Sequence, residues 1–139
     1  MDTRSGRASF PAKFRRMPEP TVRIRIVLAG GMALGPGKAD LLAAIDRLGS
    51  LAAAGRSMNM SYQRAWSLIV EMNGMFGEPL VTLSRGGAKR GGASLTGMGK
   101  TVLARYRAIE AATASLCRTE LSEIAAMARV KDSDISEHR

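Results

Sequence analysis

No stretch restricts the fold as strongly as Met58–Asn73. Read at helical period, Ala65, Trp66, Ile69, Val70 and Met72 fall on one broad apolar stripe, and Gln63, Arg64, Ser67 and Glu71 fall on the opposite one. Ser61 stands where an N-cap belongs, with a hydroxyl able to accept from a free backbone N–H of the first turn. Asn59 precedes it in a tight corner, and Asn bears left-handed φ/ψ better than most residues. The pattern predicts a helix whose back sits in a core while hydrogen-bonding groups face outward. Such a helix has the form that reads base edges in a major groove, and it is equally the form of an ordinary surface helix.

Charge narrows the choice. The 139 residues suffice for one domain with a modest core plus some tail. With 21 Lys and Arg against 12 Asp and Glu, the net charge is +9, a balance that favours a polyanionic partner. The surplus is concentrated: residues 21–115 hold 12 basic and 5 acidic side chains, whereas residues 116–139 hold 4 and 5. The field therefore surrounds the amphipathic stretch. Only 4% of the residues are aromatic, so the core must be built from Leu, Ile, Val, Met and Ala.

A single cysteine (Cys117) and a single histidine (His138) exclude an internal disulfide and a structural zinc site of four Cys or His ligands. Cys117, in an Ala/Leu-rich helical segment, reads as a small buried hydrophobe, and the nine scattered methionines read as core filler. His138 lies in a polar tail. No catalytic constellation, metal site or cofactor is expected, and the chain is read as a non-enzyme. No apolar run approaches the ~20 residues that span a bilayer, and the first twenty residues lack the apolar region of a secretory signal. The expected location is the cytoplasm.

Along the chain, residues 1–20 mix Arg, Lys, Ser, Gly and three prolines and are read as a flexible basic tail. Thr21–Leu28 alternates β-branched and charged residues at period two, predicting a half-buried strand with Arg23 and Arg25 on its polar face. A Gly/Pro-rich turn over Gly30–Gly37 leads to a helix at Lys38–Leu48, with Leu41, Leu42, Ile45 and Leu48 as its buried stripe and Gly49 as its stop. A short Ala-rich helix, Leu51–Ser57, precedes the corner. After the amphipathic helix come a strand at Leu80–Arg85 and its return at Ala93–Leu95. Thr96 then caps a long helix, Gly97 to about Ala114, with Met98, Val102, Tyr106 and Ile109 on one side. A last helical piece, about Thr119–Val130, carries Leu121, Ile124, Ala125 and Ala128 before a polar tail.

The order strand, helix, short helix, corner, helix and two-stranded ribbon is that of a winged helix-turn-helix. The ribbon's tip, Gly86–Gly92, is glycine-rich and carries Lys89 and Arg90, which suits approach to a sugar-phosphate backbone. Gly97–Thr101 imitates the end of a phosphate-binding P-loop, but Ser94 stands where that pattern needs its first glycine, and no buried parallel strand precedes it.

Met60–Trp66 together with Glu71–Asn73, then Gly86-Gly87 through Ala93, and Leu95-Thr96 with Gly99, resemble the N-terminal DNA-binding domain of the ModE family of bacterial molybdate-responsive transcriptional regulators. The resemblance runs from about Val22 to Leu116. It implies a winged helix that dimerises through its terminal strand and C-terminal helix and binds a palindromic operator. Recognition then falls on Ser61, Gln63, Arg64 and Ser67, with Lys89 and Arg90 in the wing and Trp66 as a core anchor. Tyr62 and Arg85 complete the expected DNA-binding set. Asn59 departs from the glycine usual in that family's corner. The chain also ends at Arg139, without room for the family's molybdate-binding domains, so oxyanion sensing is not carried over.

The sequence thus predicts an α/β, mostly α, winged helix-turn-helix with an N-terminal strand and a long C-terminal dimerisation helix. Residues 1–20 are expected as tail, 21–116 as the DNA-binding domain, and 117–139 as a helical extension with a polar end. Its expected partners are double-stranded DNA, a second copy and, for any molybdate control, a separate molybdate-binding protein. The rival reading is a module that binds nucleic acid without sequence specificity.

Overall fold

A computed structural model describes residues 20–84 and 92–128. Of these, residues 23–113 form one compact unit, and residues 20–22 and 114–128 belong to another. The described chain is mostly helical, with two small antiparallel sheets.

From Thr21 to Leu28 exposure alternates as the period-two pattern predicts, with Val22, Ile24, Ile26 and Leu28 half-buried and Arg23 and Arg25 outward. Ladder pairing is shorter than expected. Only Ile26–Val27 (β1) pairs, with Ala33–Leu34 (β2), Ile26 opposite Leu34 and Val27 opposite Ala33. The segment read as a plain turn over Gly30–Gly37 therefore contains a strand. Gly30 and Gly31 reverse the chain at φ of 79° and 82°, a region open to glycine at little steric cost, so the return strand starts at once.

Helix α1 (Pro36–Leu48) starts two residues earlier than predicted, because proline fits a first turn whose N–H groups lack intrahelical partners. It ends where expected: Gly49 adopts the left-handed conformation and donates its N–H to the Ile45 carbonyl at 2.8 Å. Leu41, Leu42 and Ile45 are buried, but Leu48 is exposed, since the chain turns away at Gly49 and leaves that end of the stripe uncovered. The Ser50 side chain caps α2 (Leu51–Ser57) by accepting from the Ala53 N–H, and α3 (Tyr62–Asn73) follows the corner.

Strands β3 (Val81–Leu83) and β4 (Ala93–Leu95) pair with Val81 opposite Leu95 and Leu83 opposite Ala93. Helix α4 (Gly97–Leu116) is capped by Thr96, whose hydroxyl accepts from the Gly99 N–H at 3.0 Å and donates to the Pro79 carbonyl at 2.7 Å. Tyr106 is buried on this helix and donates its hydroxyl to the Ile24 carbonyl, joining α4 to the N-terminal segment. Burial first, then the nearby Glu110 carboxylate, pushes the Tyr106 phenol above its ordinary value. Arg107 donates to Asp40 of α1 and to Glu110, each at 2.9 Å, and the bond to Asp40 is the first cause holding its guanidinium above the usual range. Ile109, expected on the packed side, is exposed. It lies almost one turn beyond Tyr106, past the reach of the N-terminal segment. Cys117 occupies the turn between α4 and α5 (Arg118–Met127) and is half-buried, because the helix breaks there instead of carrying the side chain into a core.

The core is aliphatic, as the scarcity of aromatic residues requires. Leu41, Leu42, Ile45, Leu51, Ile69, Met72 and Leu80 are almost wholly excluded from solvent, with Tyr106 at one edge. Among the described residues no polar or charged residue is buried, so the cationic groups lie at or near the surface.

Candidate nucleic-acid interface

The α2–α3 corner is built from small residues and backbone bonds. Gly55 lets α2 approach α3 closely, since a Cβ there would stand 3.4 Å from both the Ala65 side chain and the Met60 carbonyl. The Gly55 carbonyl accepts from the Met58 and Met60 N–H groups, each at 3.0 Å, and Asn59 takes the left-handed conformation at φ 57°. Ser61 then caps α3, its hydroxyl accepting from the Arg64 N–H at 3.0 Å. Both the Asn59 and the Ser61 expectations hold.

On α3 the inward arc is Ala65, Leu68, Ile69 and Met72. Ser61, Tyr62, Gln63, Arg64 and Ser67 are all exposed, so the predicted reading residues of this helix share its solvent side. Trp66 does not act as a core anchor: it is 41% exposed, and Val70 is 54% exposed. The correction follows from helical phase. Leu68 and Met72 draw the buried arc to the side away from Val70, and Trp66 is carried to the rim. Leu68, omitted from the stripe expected from sequence, was the residue that could have shown this.

Two residues fix the far end of α3. Glu71 accepts from Lys38 of α1 at 2.7 Å, and the same Lys38 ammonium donates to the Ala33 carbonyl at 2.7 Å. Asn73 accepts from the Leu80 and Val81 N–H groups at 2.8 and 3.1 Å and donates to the Val81 carbonyl at 3.1 Å. These bonds tie the hairpin's first strand to α3. The return strand is held by Gly49, whose carbonyl accepts from the Ala93 N–H at 3.0 Å, and by a bridge between Ser50 and Gly92. The hairpin base is thus attached to α3 on one strand and to the α1–α2 junction on the other. Arg85, expected at the end of the first strand, and Lys89 and Arg90, expected in the hairpin tip, lie outside the described residues.

Gly97–Thr101 is accounted for by packing. Gly99 faces the Leu80 carbonyl, and a Cβ there would lie 2.1 Å from that oxygen, so this glycine permits helix–hairpin contact. Among the described residues no helix is long and apolar enough to cross a membrane.

No protein-family model matches the chain. Among curated proteins it is 44% identical over 86 residues to the molybdenum-pterin-binding protein MopB of Rhodobacter capsulatus, a match covering 62% of this chain and 32% of that protein. It is 42% identical over 80 residues to the molybdenum transport protein ModE of Azotobacter vinelandii, covering 58% of this chain and 30% of the relative. With the transcriptional regulator ModE of Haemophilus influenzae the identity is 29% over 94 residues, covering 68% and 37%. The chain spans about a third of the length of the curated relatives it matches. Over more than half of its own length, it is therefore homologous to one part of the ModE and Mop proteins.

Proposed function

We propose that this chain is a winged helix-turn-helix that binds DNA in a sequence-specific way, as a dimer on a palindromic operator, in transcriptional regulation of the molybdate-responsive type. The observation that carries the reading is α3: a capped helix after a tight corner, with Ser61, Tyr62, Gln63, Arg64 and Ser67 on its open side. An α-helix fits the major groove of B-DNA, and Arg can donate two bonds to guanine O6 and N7. The hairpin is the wing, on which Arg85, Lys89 and Arg90 neutralise phosphates. The names of the ModE relatives support regulation and molybdenum as its context. Val27 on β1 and Ile109 on α4 present apolar surface that a second copy would cover.

The test is selection of duplexes from a random pool, followed by gel shift against excess unrelated DNA. A specific binder survives the competitor, whereas a non-specific module is displaced. Arg64→Ala should then cost roughly 1–3 kcal/mol on the selected duplex and relax preference at one position of each half-site. Equal weakening on selected and random duplexes would make Arg64 a phosphate contact and remove its assignment as a base reader.

A further inference from the structure

The outward side of α3 carries more than polar groups. Tyr62, Trp66 and Val70 follow one another at four-residue spacing, so they line a single strip along the helix. All three are exposed, Tyr62 at 51%. An exposed Trp flanked by two more apolar positions is surface that the core leaves unused.

We infer that this strip, centred on Trp66, is a second reading surface of α3 that packs against thymine C5-methyl groups in the major groove. The inference rests on the DNA-binding reading above and extends it from hydrogen bonding to apolar readout. The thymine methyl is the apolar group that the major groove displays, and it is the feature that separates thymine from cytosine to a non-polar side chain. Three observations favour DNA as the occupant. The strip begins in the first turn of α3 and runs beside Gln63 and Ser67, so whatever covers Trp66 lies against the polar reading side as well. Glu71, the one acidic residue of α3, is held by Lys38 at 2.7 Å, which neutralises the carboxylate that would otherwise repel phosphate. Residues 21–115 carry 12 basic and 5 acidic side chains, a field that attracts a polyanion.

The experiment replaces thymines of the selected duplex, one at a time, with deoxyuridine, which lacks only the C5 methyl. The full chain should bind about fourfold more weakly for each contacted methyl removed, the factor that accompanies one buried methyl group. Trp66→Ala should bind the thymine duplex more weakly and lose the thymine–uridine difference, while Trp66→Phe keeps part of it. Because Trp66 is the chain's single tryptophan, its emission should also change on adding the selected duplex. If Trp66→Ala fails to fold by circular dichroism, Val70→Ala and Trp66→Phe carry the same comparison. Equal binding of thymine and uridine duplexes by the unaltered chain overturns the inference while leaving specific DNA binding intact. Full discrimination retained by the Trp66 variants also overturns it. A concentration-dependent blue shift of the Trp66 emission without DNA, lost in Val70→Ala, would assign the strip to a second copy and overturn it. If no duplex survives competition, the DNA-binding reading fails first and takes this one with it.

Discussion

Replacing Asn73 by Ala should release the hairpin from α3. The Asn73 side chain makes three bonds to the backbone of Leu80 and Val81, two as acceptor and one as donor. Each such bond contributes about 0.5–1.5 kcal/mol net, and an orphaned amide beside a buried residue costs toward the upper end of that range. Leu80 is 0% and Val81 2% exposed, so water reaches these amides poorly. Asn73 itself is half-buried, and some solvent will enter from its open side. The expected loss is therefore about 2–4 kcal/mol. For a unit of roughly 100 residues this corresponds to a melting temperature lower by about 10–25 °C. Thermal unfolding followed by circular dichroism measures it, with urea midpoints as a check on the free energy. Asn73→Asp keeps an oxygen for the two N–H donors but sets a second oxygen against the Val81 carbonyl, so it should fall between the parent chain and Asn73→Ala. A melting shift under about 3 °C for Asn73→Ala would mean that the hairpin base is held without these bonds. A variant with Asp less stable than the one with Ala would refute the ranking of acceptor over donor.

Gly99→Ala should also destabilise, by about 1–3 kcal/mol, because the new Cβ would sit 2.1 Å from a backbone oxygen that cannot rotate away. A melting temperature unchanged within a degree would show that α4 can shift freely against the hairpin. Tyr106→Phe should cost about 1 kcal/mol at neutral pH through the bond lost to the Ile24 carbonyl. The folded phenol lies above the ordinary value of 10.0, so its contribution is complete below that value and disappears as pH rises through the folded one. Urea midpoints between neutral pH and strong alkali should fall more steeply for the parent chain than for Tyr106→Phe, and parallel curves would contradict the assignment.

What was legible in the sequence was local. Gly49 as a helix stop, Asn59 in a left-handed corner, Ser61 and Thr96 as caps, and the limits Leu51–Ser57 each depend on a few neighbouring residues. Positions governed by distant neighbours were less so. Two adjacent glycines signal a turn, but nothing nearby says that Ala33–Leu34 will pair with β1. The phase of α3 was misplaced by a fraction of a turn, since Trp66 and Val70 are as apolar as Leu68 and only the surrounding elements decide which of them is covered. Leu48 and Ile109 show the same limit, being apolar residues in register with a buried stripe but beyond its cover. The roles of Lys38 and Asn73 were hidden because their partners lie 33 residues away for Glu71 and 7–8 residues away at Leu80 and Val81.

The arrangement of these bonds also explains why α3 offers a defined surface although it is short. A helix of 12 residues is marginal in isolation, since nucleation is costly and few internal bonds offset it. Here its first turn is closed by the Ser61 cap and seated by the Gly55–Ala65 approach, and its last turn is tied by Glu71 to α1 and by Asn73 to the hairpin. The restraints come from three different elements and act at both ends, so neither fraying nor rotation about the helix axis is left free. Fixed rotation matters for the proposed reading of DNA: at helical period one residue's slip would carry Arg64 and Gln63 away from a base edge and bring core residues into the groove. It also gives Gly99 its place in the same chain of contacts. By letting α4 touch the Leu80 carbonyl, it holds the strand that Asn73 grips, and the sequence that imitates a nucleotide-binding loop belongs to the support of α3.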